Sequence, residues 1–219
     1  MDKICLKEKI IEVMYLLIEI NDSYKLFKQL KKSKRKYLDV MNISPAFFTI
    51  VNHSLEYTFI LGLSKLYEND NKTMSIHKII NICENCADLF PNSREIVYQG
   101  EDGNTVVYTD KITIDIHNDI REMRNLVGSL DDQINSLKGR RDKFYAHNDK
   151  GYFANIDKLV KEYPINYNDL DLLISTADKV LNKLLSDLCG EEYLTYHKNY
   201  NDIEKIMKIL NVTPEEIDL

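Results

Sequence analysis

A short run of the sequence brings together a permanent cation and a side chain that titrates near neutral pH. It extends from Arg140 to Asp149 as RRDKFYAHND, and its chemically informative members are Arg141 and His147. A neutral histidine can act as a general base toward a ribose 2′-hydroxyl. A guanidinium can then stabilise the charged phosphate that forms when the alkoxide attacks phosphorus. The pair therefore suits RNA cleavage without a metal ion.

The residues before this run place Arg141 in an unusual position. Apolar residues recur at steps of three and four, as on one buried face of a helix: Ile116, Ile120, Met123, Val127, Leu130, Ile134 and Leu137. Arg141 and Phe144 take the next positions of this stripe. A guanidinium there is costly unless it is paired or lines a polar cleft. His147 falls at the edge of the packed face, on the same side as Arg140.

The extended motif resembles that of a known family. Arg-x(4–6)-His is the signature of HEPN domains, and the longer pattern Arg141-Asp142-Lys143-x-x-Ala146-His147-x-Asp149 is similar to the RDKxxAHxD pattern of the AbiU-type HEPN-like family. That family is associated with bacterial abortive infection. Leu63 to Glu68, followed by Ser75 to Ile79, resembles its second and third helices. The resemblance covers roughly residues 45 to 185.

The resemblance implies a homodimer whose two motif helices face each other across one composite cleft. It implies that Arg141 binds the phosphate, that His147 is the base, and that Asp142 orients the arginine as the third catalytic residue. By spacing alone Arg140 is an alternative to Arg141, but the Arg-Asp-Lys alignment favours Arg141. We expect the substrate to contact Arg140, Lys143, Tyr145 and Asp149.

The implied function is that of a metal-independent endoribonuclease, acting as a toxin or as an abortive-infection or defence effector. We expect RNA and a second copy of the chain as partners, an antitoxin or other neutralising protein as a further candidate partner, and no metal or cofactor. Two alternatives stay open: a non-catalytic HEPN module that binds RNA, a nucleotide or a protein, and a plain helical interaction protein. The last is favoured if Arg141 meets an acidic side chain of its own subunit and His147 faces no open cleft.

Other candidate sites in the sequence are weaker. Cys83-x-x-Cys86 is a lone pair, whereas a zinc site needs about four ligands, so we predict incidental or buried cysteines. The remaining histidines show no metal-binding spacing, and we predict structural or surface roles for His53, His77, His117 and His197. Tyr145 and Tyr152 flank the motif, where they suit either base stacking or the edge of the core.

The composition bounds the partners and the location. The net charge is -6 and the pI about 5.4, whereas nucleic-acid-binding domains are usually basic. RNA binding would therefore need a local patch, and one candidate is the lysine-rich run from Lys28 to Lys36, whose alternative interpretation is a solvated helix end. Glu12 and Glu19 interrupt the apolar stretch near the N-terminus, so we expect a cytoplasmic protein without a membrane span.

The sequence predicts one all-α domain over residues 1–219, an antiparallel up-and-down bundle of four to five long helices. The motif is expected at the end of the longest or second-longest helix. Residues 92–115 form an insertion that is either a hairpin turning at Asp102-Gly103 or a loop. The expected helices are Lys3 to about Lys36, Pro45 to about Tyr67, a third from about Ser75, one from Ile116 into the motif, about Asn168 to Leu188, and a short one at about 201–210.

Overall fold

The longest of the described helices, α1, lies at the centre of a helical bundle. The computed structural model describes residues 1–70, 72–99, 106–146, 155–197 and 201–212. The elements, in chain order, are α1 (Lys3–Lys34), α2 (Leu38–Ile43), α3 (Pro45–Leu66), α4 (Ile76–Asn85), a 3-10 turn (Ala87–Leu89), β1 (Ser93–Gln99), β2 (Val106–Thr113), α5 (Ile116–Gly128), α6 (Asp131–Arg140), a π-helical segment (Arg141–Ala146), α7 (Ile156–Glu162), α8 (Tyr167–Cys189) and α9 (Asp202–Val212).

The core forms where the apolar faces of α3, α4 and α8 meet α1. Its largest buried side chains include Tyr24, Phe59 and Tyr67. The buried tyrosine hydroxyls are paired: that of Tyr24 donates to the carbonyl of Tyr167 and that of Tyr67 to the carbonyl of Leu173. This is the all-α bundle that the helical periodicity predicts. None of the described helices is long and apolar enough to span a bilayer.

Polar caps fix the ends of several helices. The side chains of Asp2 and Ser75 accept hydrogen bonds from the first turns of α1 and α4. Helix α8 begins with a capping box between Asn166 and Asp169, two residues before the predicted cap at Asn168. The predicted stop at Gly190 is confirmed, since this residue takes the left-handed conformation with φ of 80°.

The helix that leads to the motif is split, which corrects the prediction of one continuous helix. Helix α5 ends at Gly128, a residue of low helix propensity. At the next residue the hydroxyl of Ser129 donates to the carbonyl of Leu126, a local bond that competes with the helical backbone pattern. The predicted apolar stripe nevertheless stays buried on both sides of the break. The motif therefore follows the ten-residue α6, not α1 or α8, which have 32 and 23 residues.

The insertion contains a hairpin rather than a loop. Strands β1 and β2 pair antiparallel, from Ser93 opposite Thr113 to Gln99 opposite Val106, with a register shift after Tyr98. The predicted turn at Asp102-Gly103 lies outside the described residues. Two short helices, α2 and α7, were not predicted, because each is too short for its periodicity to stand out.

The chain that follows α7 packs on the helix that leads into the motif. The ring of Tyr163 lies directly against Gly139, and the backbone carbonyl of Tyr163 accepts a hydrogen bond of 2.7 Å from Nε of Arg140. A Cβ atom on Gly139 would overlap the Cδ1 atom of that ring. Glycine at position 139 therefore permits the close approach of the Tyr163 ring to the helix just before the motif.

We predict that Gly139→Ala destabilises the protein by about 1–3 kcal/mol, because the ring of Tyr163 must move. The matched control is Gly128→Ala, where a Cβ atom meets nothing within 4 Å. That change should leave stability equal or raise it by up to about 1 kcal/mol through helix propensity. Urea unfolding of both variants measures the difference, and equal stability of the two would contradict the packing described here.

Candidate active site

Arg141, the first residue of the π-helical segment, is held by two carboxylates. Its Nη1 donates to Oε2 of Glu68 at 2.5 Å, and its Nε donates to Oδ1 of Asp142 at 2.7 Å. Nζ of Lys138 lies 3.3 Å from Oε1 of the same Glu68. One carboxylate, just beyond the end of α3, therefore joins two cations that stand three residues apart on α6 and the segment after it.

The ion pair accounts for an arginine on the apolar stripe. The side chains of Arg141 and Glu68 are only 22% and 23% exposed. A charge at this depth is tolerated when hydrogen-bonded counter-charges compensate its desolvation. A guanidinium has five N–H donors, and only two of those of Arg141 are bonded within the part of the chain that the structure describes. The remaining donors give this group the capacity to bind an anion.

The pairing also sets the charge state of the site. The hydrogen bond from Arg141 holds the pKa of Glu68 below its usual value, and Lys138 contributes in the same direction. The pKa of Arg141 is raised, first by its hydrogen bond to Asp142 and then by Glu68. Both partners of this half-buried ion pair are therefore charged at neutral pH.

Tyr145 anchors the far end of the π-helical segment to α3. Its hydroxyl donates to Oε1 of Glu56 at 2.9 Å, and its carbonyl accepts a hydrogen bond from the hydroxyl of Tyr57. The Tyr57 and Tyr145 rings meet edge to face with centroids 5.1 Å apart. Burial raises the pKa of Tyr145, so its phenol stays protonated. In this arrangement Tyr145 packs at the edge of the core, and contact with substrate stays a prediction.

The two adjacent arginines have different surroundings. Arg140 donates to the carbonyl of Tyr163, and burial lowers its pKa, whereas Arg141 pairs with two carboxylates. The geometry thus distinguishes the two residues that spacing alone left as alternatives. The segment from Arg141 to Tyr145 runs antiparallel to α3, from Glu68 toward Glu56.

The remaining predicted site residues are only partly covered. Lys143 lies in the π-helical segment, one residue after Asp142. His147 and Asp149, together with Tyr152, fall in residues 147–154, outside those that the structure describes. The structure thus brings together Arg141 and Asp142, and the base assigned to His147 stays a prediction from the sequence.

Two residues of the site were not predicted as such. Lys138 precedes Arg141 by three residues, the spacing that puts two side chains on one helix face, so this signal was present in the sequence. Glu68 was noted only within the stretch that resembles the second helix of the family. Its contact with Arg141 joins residues 73 positions apart, which no local pattern encodes.

The weaker candidates carry no site in the described part of the chain. Cys83 is fully buried, and burial raises the pKa of its thiol to about 12, so it is not a reactive thiolate. All four cysteines are free. No group of three or more His, Cys, Asp or Glu that could hold a metal ion occurs among the described residues.

The family of the chain follows from a comparison with family models. The model of the AbiU2 family of HEPN domains, HEPN_AbiU2, matches residues 3–207 of the 219. The match covers almost the whole chain, and the protein therefore belongs to this abortive-infection-associated HEPN family. Searches of curated proteins and of solved structures gave no match.

The geometry meets one of the two conditions that favour a plain interaction protein. Arg141 does pair with an acidic side chain of its own subunit, Glu68. The second condition concerns an open cleft at His147, which lies outside the described residues. Three of the five N–H donors of Arg141 form no hydrogen bond within the described residues.

We predict that Glu68→Gln lowers the free energy of unfolding by about 1–2 kcal/mol at pH 7, because it removes the charge that Arg141 and Lys138 share. The pKa of Glu68 is lower in the folded than in the unfolded chain. The contribution of its charge is thus present above the unfolded pKa of about 4.3 and is lost as the pH falls through the folded value.

The matched control is Glu84→Gln, which breaks the more exposed Glu84–Arg124 pair. It should cost less than Glu68→Gln, because exposed ion pairs contribute little to stability. Denaturant unfolding of both variants between about pH 3.5 and 7 is the measurement. A Glu68→Gln deficit that is no larger than that of Glu84→Gln, or that grows toward acid pH, would contradict the role given to Glu68.

Proposed function

We propose that this protein is a metal-independent endoribonuclease that acts as a defence effector or toxin. The observation that carries the proposal is Arg141, a half-buried and permanently charged group with donors to spare, in the family motif that places His147 six residues later. Residues of this type at this spacing can deprotonate a 2′-hydroxyl and receive the phosphate charge.

In the proposed reaction the imidazole of His147 takes the proton of the ribose 2′-hydroxyl. The 2′-oxygen then attacks the adjacent phosphorus, and the bond from phosphorus to the 5′-oxygen of the next nucleotide breaks. The products are a 2′,3′-cyclic phosphate and a 5′-hydroxyl, whose oxygen takes its proton from the imidazolium of His147 or from water. Arg141 stabilises the charge that builds up on the phosphoryl oxygens.

Glu68 and Asp142 serve this reaction as positioning residues. A guanidinium held by two carboxylates keeps its orientation, so less conformational entropy is lost when a phosphate binds. The carboxylates also offset much of its positive charge. We infer that phosphate binds to the unused donors of Arg141, or displaces the Asp142 carboxylate, whose side chain is 48% exposed.

We further propose a homodimer that uses the apolar face of α3 beside the motif. Phe47, Ile50 and Tyr57 share this face and are 57%, 64% and 41% exposed. Tyr57 also donates to the carbonyl of Tyr145, so the face is continuous with the π-helical segment. A second copy packed here would bury three large apolar side chains and bring two motifs together about a twofold axis.

The second candidate function is a non-catalytic HEPN module. The observation in its favour is the Glu68–Arg141 pair, which gives Arg141 a structural role without any substrate. Such a module could bind RNA through the same arginine. The two candidates therefore differ in cleavage and not in binding.

We predict that His147→Ala lowers the rate of RNA cleavage by roughly 10²- to 10⁴-fold and leaves the fold and most of the RNA affinity intact, because a general base acts on the transition state. Arg141→Ala should weaken cleavage and binding together, by about 10- to 100-fold in affinity for one lost charged hydrogen-bonding group. Cleavage of labelled RNA and filter binding measure the two effects.

The controls are His117→Ala and Arg124→Ala. His117 is an exposed histidine of α5, and Arg124 pairs with Glu84 on the surface. Both variants should cleave RNA at the wild-type rate. A folded His147→Ala protein that cleaves as fast as these controls would remove the catalytic assignment and favour the binding module.

For the dimer, we predict that Phe47→Glu combined with Ile50→Glu yields a folded monomer, because buried charges oppose association. Ile4→Glu with Tyr15→Glu, on an exposed face of α1, should leave the dimer intact. Sedimentation at micromolar concentration distinguishes these outcomes. A wild-type monomer, or a Phe47/Ile50 variant that stays dimeric, would contradict the proposed interface.

A further inference from the structure

A second concave site lies where the lysine-rich end of α1 meets α2 and the start of α3. It is a cleft of about 280 Å³. Its apolar lining residues include Leu30 and Met41, whose side chains are buried, and Phe48, whose ring is half-buried, while Asn42 and Asn52 add polar groups. The ring of Phe48 can receive the flat face of a base or another planar group.

The rim of this cleft is basic. Lys31 and Lys34 line it from α1 and His53 lines it from α3, while none of its lining residues is acidic. The chain contains 35 Asp and Glu residues and has a net charge of -6, so a cleft without a carboxylate in its lining is a local reversal of the overall charge. The ligand that fits this rim is an anion.

The lysine-rich run divides into paired and unpaired members. Lys28 and Lys36 bond to Asp171 and Glu204, at 3.0 and 3.4 Å. Lys34, in contrast, forms no hydrogen bond or ion pair with any residue in the described ranges, and the ammonium of Lys31 lies 5.0 Å from the ring centroid of Phe27. Lys31 and Lys34 at the cleft, like Lys32 and Arg35 in the same run, therefore carry charges that no carboxylate of the described chain neutralises.

The start of α3 borders the same place. Pro45, the first residue of this 22-residue helix, lines the cleft. Proline has no N–H group, and the N–H of Phe48 donates to the carbonyl of Ser44, so these residues add no free backbone donor to the lining. The helix contributes the positive end of its dipole, which favours an anion.

The cleft is close to the motif along α3. Asn52 and His53 line the cleft, and they precede Glu56 and Tyr57 by one helical turn, about 5.4 Å. Glu56 and Tyr57 are the residues that hold Tyr145 at the end of the π-helical segment. A strand that leaves the motif in the direction of Tyr145 would therefore meet the cleft next.

We propose that this cleft binds a phosphate group of the RNA strand, with the adjoining base against its apolar side chains, several nucleotides away from the bond that is cleaved. Glu68, which holds Arg141, follows His53 by 15 residues, roughly 20 Å along the axis of α3. This inference rests on the proposed function. The cleft would give the RNA strand a positively charged contact on a protein whose net charge is -6. Lys31 and Lys34 contact the phosphate, and Phe48 contacts the base. The lysine-rich run then has a function beyond that of a solvated helix end.

The test measures binding of an oligonucleotide that cannot be cleaved by the proposed reaction. A fluorescent 2′-O-methyl oligouridine of about 12 nucleotides is titrated with Lys31→Gln/Lys34→Gln protein, and fluorescence anisotropy gives the affinity. The control Lys3→Gln/Lys111→Gln carries the same change in net charge at two exposed lysines away from the cleft. Thermal unfolding verifies that both variants fold.

We expect the cleft variant to bind roughly tenfold more weakly at about 0.1 M salt. The slope of log affinity against log salt should become shallower by about 0.7 for each lost phosphate contact. The control should match the wild type in affinity and in salt slope. The Lys31→Arg/Lys34→Arg variant should retain binding. Equal affinity of the cleft variant and the control would overturn the proposal.

Titration with adenosine monophosphate separates the two sources of phosphate. If the mononucleotide binds as tightly as the oligonucleotide and loses affinity in the same variant, the strand path is overturned and the cleft belongs to a free nucleotide. Anisotropy measures binding of the 2′-O-methyl oligonucleotide, and a separate assay with unmodified RNA measures cleavage. A chain that cleaves no RNA, but loses oligonucleotide binding in the cleft variant, would end the nuclease proposal and leave the cleft as the binding site.

Discussion

The carboxylate of Glu68 is the contact on which the geometry of the candidate site depends. It is shared by Arg141 and Lys138, and it joins the end of α3 to the only described segment that carries motif residues. At the other end of that segment Glu56 holds Tyr145. Glu56 within α3 and Glu68 just beyond its end thus fix a short π-helical segment, and irregular backbone of this kind is common at functional sites.

In the proposed function one arginine serves both the fold and the chemistry. Arg141 compensates the charge of the half-buried Glu68, and its unused donors would receive the phosphate. Helix α3 then organises the surface around it, with an exposed apolar face suited to a second copy and a basic cleft one turn beyond Tyr57. A protein with a net charge of -6 can in this way present a localised site to an anionic strand.

Much of the fold was predictable because it follows from periodicity. The apolar stripe from Ile120 to Leu137 is buried as predicted, and Gly190 ends α8 as its lack of a side chain suggests. The break between α5 and α6 escaped prediction, since the stripe keeps its spacing across it. Glu68 was missed for a different reason: its pairing with Arg141 is a tertiary contact, and spacing rules apply only within one element.

We propose that this chain cleaves RNA through the substrate's own 2′-hydroxyl, with Arg141 receiving the phosphate charge. The most direct measurement is to incubate the protein with unmodified RNA in excess EDTA and to identify the product ends by mass spectrometry. We expect cleavage that persists in EDTA and leaves 2′,3′-cyclic phosphate and 5′-hydroxyl ends. A strict requirement for Mg²⁺ or Mn²⁺, or products ending in a 3′-hydroxyl, would contradict it.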